Sequence, residues 1–349
     1  MPFVAPPRTA YNPRTMSVRD HVTKWAHPLV LLCAAAVLSP APAQDEQYRE
    51  RQVLDPNSDE WIDEAPPEPA TPGGELEAGR SALARGESKS ARRRLKKWVK
   101  RNPEHERYFE GVFLLGEAYF ERKNFYRAFE QYELVVENAA GELFQKALLR
   151  EIEVARAFLS GQKRIVWRIF RFPAYEEGID ILDRVWERAP GTRLGEVARR
   201  LKADYFFARG DFFEAQDEYV GLAREYPNGR YVRLAMLRAA ESAGSAFPGI
   251  LFDDRPLVDA EVRYQQLQSA YPEYARAEAV GVRLEGIRQQ RADKDLEIAK
   301  WYERTRQSGA AEFYYRLVLR DWPDSLAANE ARGRMRALGI ELNNEEGRG

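Results

Sequence analysis

Side chains able to act as nucleophiles or to ligate soft metals are scarce. The chain has one cysteine, Cys33, and three histidines, His21, His27 and His105. A single cysteine permits no intramolecular disulfide and no zinc site built from cysteine and histidine. His105 stands in Asn102-Pro103-Glu104-His105-Glu106, a helix-start segment with no second histidine or cysteine nearby. It reads as an exposed turn residue. No phosphate-binding glycine loop, HExxH pair or nucleophile elbow occurs. Carboxylates are plentiful, but they are spread along helical surfaces, where most face water. This inventory argues against an enzyme and asks for no cofactor and no metal. What it suits is a shaped surface that binds other proteins.

The N-terminus reads as an address. Arg19 and Lys24 precede the apolar run 29–38, and Ala41-Pro42-Ala43 follows before polar Gln44. A basic segment, a short apolar core and an A-x-A site predict a secretory signal over 1–43, cleaved after Ala43. Met16 offers an alternative start that shortens the lead. Leu32 precedes Cys33, only four apolar residues stand before it, and acylation would leave AAAVL at the new terminus; cleavage after Ala43 is expected instead of lipidation at Cys33. Residues 44–75 hold ten acidic and two basic residues and five prolines before Gly73. That composition predicts a disordered acidic linker, with Trp61-Ile62 its one apolar spot.

Six copies of one pattern fill 76–338. A small residue is followed by an apolar residue four places on, another three later, and proline five after that. The copies are Ala91/Leu95/Trp98/Pro103, Ala128/Tyr132/Val135 (Ala140 replaces proline), Gly178/Leu182/Val185/Pro190, Ala215/Tyr219/Leu222/Pro227, Ala260/Tyr264/Leu267/Pro272 and Ala311/Tyr315/Val318/Pro323. Positions i, i+4 and i+7 share one helix face. The small residue admits a neighbouring helix, the larger two fill the space between, and proline marks the turn. Ala91, Ala128, Gly178, Ala215, Ala260 and Ala311 are therefore expected at helix crossings. Earlier helices of the hairpins show at Val112, Leu115, Gly116 and Tyr119, and at Ala203 and Phe206. The pattern resembles the tetratricopeptide repeat, which implies an all-α, tetratricopeptide-like helical-hairpin superhelix of about six units. Inserts are expected at 161–172 and 245–256, a long first helix at 279–307, a capping helix at 326–338 and a disordered tail at 339–349.

Three surfaces carry functional expectations. The run 89–101 has eight basic residues in thirteen. It is either a solvated stripe facing the acidic linker or a site for acidic partners or anionic headgroups. The insert 163–172 interleaves Lys163, Arg164, Arg168 and Arg171 with Trp167, Phe170 and other apolar residues. It is either a membrane-surface or partner-gripping segment or a helix extension packed on the next unit. Phe113, Glu117 and Phe120, with Arg200, Asp204 and Phe207, occupy first-helix positions expected to face a concave groove. There they either hold a partner peptide or pack on the next unit.

The C-terminal half also resembles the BamD (YfiO) family of outer-membrane barrel-assembly proteins. The resemblance lies in Glu225-Tyr226-Pro227-Asn228-Gly229-Arg230-Tyr231, the long insert before Asp259-Ala260, and Ser269-Ala270-Tyr271-Pro272. It is densest at Ala299-Lys300-Trp301-Tyr302, Ala310-Ala311 and Arg320-Asp321-Trp322-Pro323-Asp324-Ser325. It covers about 195–338. It implies a non-enzymatic envelope scaffold that helps assemble outer-membrane β-barrels, located in the periplasm at the outer membrane. The partners implied are a barrel-assembly component at the C-terminal repeats and client chains at the groove, with no nucleic acid. By the same resemblance Arg283, Arg288 and Arg291 would orient the docked component. A general periplasmic repeat adaptor of Tol–Pal or cell-wall type is the alternative.

Overall fold

The computed structural model describes residues 52–54, 61–63, 68–166 and 170–341. The segment read as a signal, with Cys33, His21 and His27, lies outside the described residues, as do 342–349 of the stretch read as a tail. The chain divides into two units, 1–66 and 67–349. In the first, the described residues form an antiparallel ribbon of β1 (Gln52–Leu54) and β2 (Trp61–Asp63), with Val53 opposite Ile62. This ribbon falls inside the stretch read as a linker, and includes its apolar spot.

The second unit is a tetratricopeptide-like stack of helical hairpins. The pairs are α1 (Pro72–Ala84) with α2 (Ser88–Arg101), α3 (Tyr108–Phe120) with α4 (Phe125–Asn138), and α5 (Gly141–Leu159) with α6 (Tyr175–Arg188). They continue with α7 (Arg193–Arg209) and α8 (Phe212–Glu225), then α9 (Val232–Ser245) and α10 (Arg255–Ala270). A short α11 (Pro272–Ala277) precedes α12 (Val280–Arg304) and α13 (Ser308–Asp321), and α14 (Leu326–Ala337) closes the stack. Each helix packs chiefly on its neighbours in sequence, as a solenoid requires.

Sequence dictates the hairpins through two devices. The template residues lie on the second helices, and Ala91, Ala128, Ala215, Ala260 and Ala311 are fully buried there. Gly178 is buried as well; a Cβ on it would sit 2.9 Å from Leu159 and 3.2 Å from the Ala155 carbonyl. The other device is the turn between paired helices. Gly86, Lys123, Gly210 and Arg306 are left-handed, with φ of 73°, 56°, 82° and 59°. Each stands five residues before the small residue of its unit. Each also closes its helix with the same two bonds: Lys123 N to Phe120 O and Asn124 N to Tyr119 O, for example, at 2.8 and 2.9 Å.

Units with inserts use other connections. The insert 161–172 is not a helix extension. Its backbone forms a hairpin of β3 (Lys163–Val166) and β4 (Phe170–Pro173), with Arg164 opposite Phe172. Left-handed Gly161 ends α5, and a run rich in β-branched and aromatic residues suits extended backbone. Trp167 and Arg168 lie outside the described residues, and only the backbone is described at Arg164, Phe170 and Arg171. Residues 246–254 link α9 to α10 without helix or strand. Within the stretch expected as a tail, Ile340 packs on the last cluster, its N–H bonded to the Met335 carbonyl at 2.9 Å.

Buried apolar side chains fall into four successive clusters. The first runs from Leu76 to Ala198, the next from Ala203 to Ala239, the third from Leu237 to Ile287 and the last from Ala292 to Met335.

Candidate functional site

The residues expected to line a groove turn out to be engaged by their own protein. Template position four is tyrosine in four units, and each phenol is tied to an ionic partner. Tyr132 donates to Glu117 at 2.5 Å, and Tyr219 donates to Asp204 at 2.6 Å. Tyr315 donates to Glu303. Tyr264 instead accepts from Arg283 at 3.4 Å, and Arg283 holds Glu241. The following helix adds an arginine to each set. Arg150 pairs with Glu117 at 2.5 Å, and Arg334 lies 3.5 Å from Glu303. Arg238 covers the Phe207 ring at 4.7 Å.

Burial, reinforced by the adjacent carboxylates, raises the Tyr132, Tyr219 and Tyr315 phenols far above their ordinary range. They stay protonated donors. Burial opposes charge on Arg150, but Glu117 and Glu153 outweigh it and raise its pKa. Tyr132 fits only because α3 has Gly116 at the crossing, where a Cβ would lie 2.5 Å from its ring.

The six groove candidates lie among these contacts. All six are half-buried. Glu117 joins Tyr132 and Arg150, while Asp204 joins Tyr219 and Arg200, the latter at 3.2 Å. Phe113 packs on Tyr132, Phe120 on Phe125 with Arg150 at 5.2 Å, and Phe207 on Phe212 and Tyr219. Within each unit the structure brings these candidates onto the hairpin and its successor. The recurrent tyrosine was the signal for this ladder, but its partner stands 15 residues upstream in two units and 12 in another, so spacing alone conceals it.

The C-terminal arginines likewise meet carboxylates of their own protein. Arg283 pairs with Glu241, and Arg288 lies 3.7 Å from Glu261. Arg291 reaches Glu261 at 2.7 Å and Asp254 at 3.3 Å. They brace α12 against α9, α10 and the preceding loop.

Exposed apolar surface is found elsewhere. On α12 and α13, Trp301 is 49% and Phe313 61% exposed. Between them Tyr302 and Tyr314 stack at 5.2 Å with planes 14° apart, and each also meets its exposed neighbour edge-on. The result is a four-ring ridge joining two helices. A second apolar site is a groove of about 720 Å³ beside the α9–α10 loop, lined by Phe213, Pro248, Phe252 and Pro256 with Asp253 and Asp259. Phe213 is 66% exposed, and Leu251 on the same loop is 83% exposed.

The family described as YfiO, outer membrane lipoprotein, matches residues 251–346. That span holds the aromatic ridge and much of the α9–α10 groove. None of the curated proteins matches the chain. Among solved structures, the C-terminal part of a TPR repeat-containing protein from Cytophaga hutchinsonii is 12% identical, covering 75% of this chain and 87% of that one, with a TM-score of 0.38. A thermophilic TPR protein from Thermus thermophilus is 14% identical over 62% of this chain and 98% of its own, at 0.28. PilW, a type IV pilus biogenesis factor, is 14% identical over 75% and 98%, at 0.29.

Among the described residues, no group of three His, Cys, Asp or Glu side chains could hold a metal ion. No described helix is long and apolar enough to cross a membrane.

Proposed function

We propose that this chain is a non-enzymatic scaffold of the bacterial envelope that serves outer-membrane β-barrel assembly, as the BamD-type resemblance implies. In this reading it works in the periplasm beside the outer membrane and docks a barrel-assembly component through its last two hairpins. The carrying observation is the coincidence of the YfiO match over 251–346 with the ridge of Trp301, Tyr302, Tyr314 and Phe313. Clustered exposed aromatics are the usual anchors of a protein interface. Client chains would meet the earlier hairpins, at half-buried rings such as Phe113 and Phe120.

The test belongs on the ridge. Cutting the chain at Pro272 would remove Ala275, Val280, Leu284 and Ile287 and strip the third cluster, so truncation confuses docking with folding. Trp301→Ser with Phe313→Ser changes exposed side chains and leaves the clusters intact. Tagged parent protein, recovered from solubilised envelopes, should bring down a β-barrel assembly component, and the double variant should lose it. Recovery of that component by both proteins removes the ridge from the reading. Its absence with the parent removes barrel assembly.

A further inference from the structure

The second helix of the first hairpin differs electrostatically from the rest of the stack. In its fourteen residues α2 has eight basic side chains and no carboxylate. Its inward face is Ala91, Leu95 and Trp98, all buried, and Trp98 Nε1 donates to the Pro72 carbonyl at 2.6 Å, clamping α2 on α1. Lys89, Arg93, Lys96 and Lys100 stand opposite, at i, i+4, i+7 and i+11, and all are exposed. That spacing makes one straight row about 16 Å long. Like charges at i, i+3 and i, i+4 weaken a helix.

Many cations elsewhere in the stack are paired. Arg107, Arg150, Arg188, Arg283 and Arg291 each meet carboxylates. In α2, among the described residues, only Arg101 has a carboxylate within 4 Å, Glu75 at 2.7 Å. Arg92 lies over the Tyr119 ring at 6.0 Å. The four outward cations have no such partner among the described residues.

We infer that the outer row of α2 is a seat for the headgroups of anionic phospholipids, which lays the first hairpin against a membrane surface. A planar array of phosphates can meet every member of a straight row at once. A nucleic acid is a poorer fit. No aromatic residue faces outward from α2 to stack on bases. The flanking helices supply Glu75, Glu77 and Glu110 where a curved phosphate backbone would need further cations. The one concavity found beside the row among the described residues lies at its start, lined by Gly86, Glu87, Ser88, Lys89, Ser90 and Arg93, and does not follow the row to Lys96 and Lys100 as an extended peptide would require. This seat does not depend on which protein docks at the C-terminal ridge.

Cosedimentation of the full chain with vesicles tests it. Vesicles of phosphatidylcholine alone are compared with vesicles containing phosphatidylglycerol, at low and high salt. Three proteins are needed: the parent, a variant with Lys89→Gln, Arg93→Gln, Lys96→Gln and Lys100→Gln, and one with Lys89→Arg, Arg93→Lys, Lys96→Arg and Lys100→Arg. Each cation near an anionic surface is worth roughly fivefold in binding. The parent and the charge-preserving variant should bind only the anionic vesicles and let go in high salt. The glutamine variant should bind them roughly a hundredfold or more weakly. Should four substitutions disturb the fold, Lys96→Gln and Lys100→Gln singly should each cost roughly fivefold. Parent binding indifferent to phosphatidylglycerol overturns the inference, as does a glutamine variant that binds like the parent. Tighter binding of soluble polyglutamate than of anionic vesicles also overturns it, assigning the row to an acidic protein segment.

Discussion

Glu151 sits in the middle of α5 with no exposed surface, and its environment decides its charge. Glu133 faces it from α4, and Arg184 and Arg188 from α6. Arg188 lies 3.9 Å away but is committed to Glu133 at 2.7 Å, and Arg184 also holds Glu133. Burial first, and the Glu133 charge second, raise the Glu151 carboxyl well above the ordinary glutamate range. The unfolded chain releases this proton near the ordinary value of about 4.3. The folded chain keeps it to higher pH. The stability this proton contributes is therefore complete below about pH 4.3 and is lost as pH rises through the folded value. Glu151→Gln removes the titration and keeps the shape. In urea unfolding across the acid-to-neutral range, the parent should lose stability relative to the variant as pH rises. A constant difference between the two would show that folding does not shift the Glu151 carboxyl.

Turns between paired helices are the element most uniform in this chain, yet two of them break the rule of residue type. Lys123 and Arg306 take the left-handed conformation that Gly86 and Gly210 take in the equivalent places. A side chain there costs about 1–2 kcal/mol relative to glycine. Lys123→Gly should accordingly stabilise the protein by about 0.5–1 kcal/mol, after allowance for the freer unfolded chain. A melting temperature that falls would show that Lys123 makes contacts worth more than its strain. The comparison also marks how far the elements were legible beforehand. The small residue, its two apolar followers and the closing proline are local signals, and all six hairpins stand where they point. The β3–β4 ribbon was not legible, because a short alternation of basic and apolar residues is compatible with helix or strand. Nor was the pairing of Glu117 with Tyr132 and Arg150, or of Arg291 with Glu261. Those contacts join residues 15, 33 and 30 apart; the first forms only when its hairpin closes, and the other two only once neighbouring hairpins have stacked.

Across the whole stack, stability is shared among four clusters, and α12, like α7 and α9, belongs to two of them. Val280, Leu284 and Ile287 enter the third cluster, while Ala292, Leu296 and Ala299 enter the fourth. Exposed Gln290 lies between those sets. Gln290→Pro should cost about 3 kcal/mol and separate the two clusters. Hydrogen exchange should then quicken in α13 and α14 while α1 to α8 keep their protection. Uniform quickening along the chain would mean that the stack opens as one body. In the intact protein the helix is a stiff axle about 37 Å long. The aromatic ridge sits at one end, and the Arg283–Glu241 contact lies 18 residues back from Trp301, about five turns away. Torque applied at Trp301 and Phe313 is thus delivered to α9 with little loss, and a load seated on the last hairpin steers the one before it.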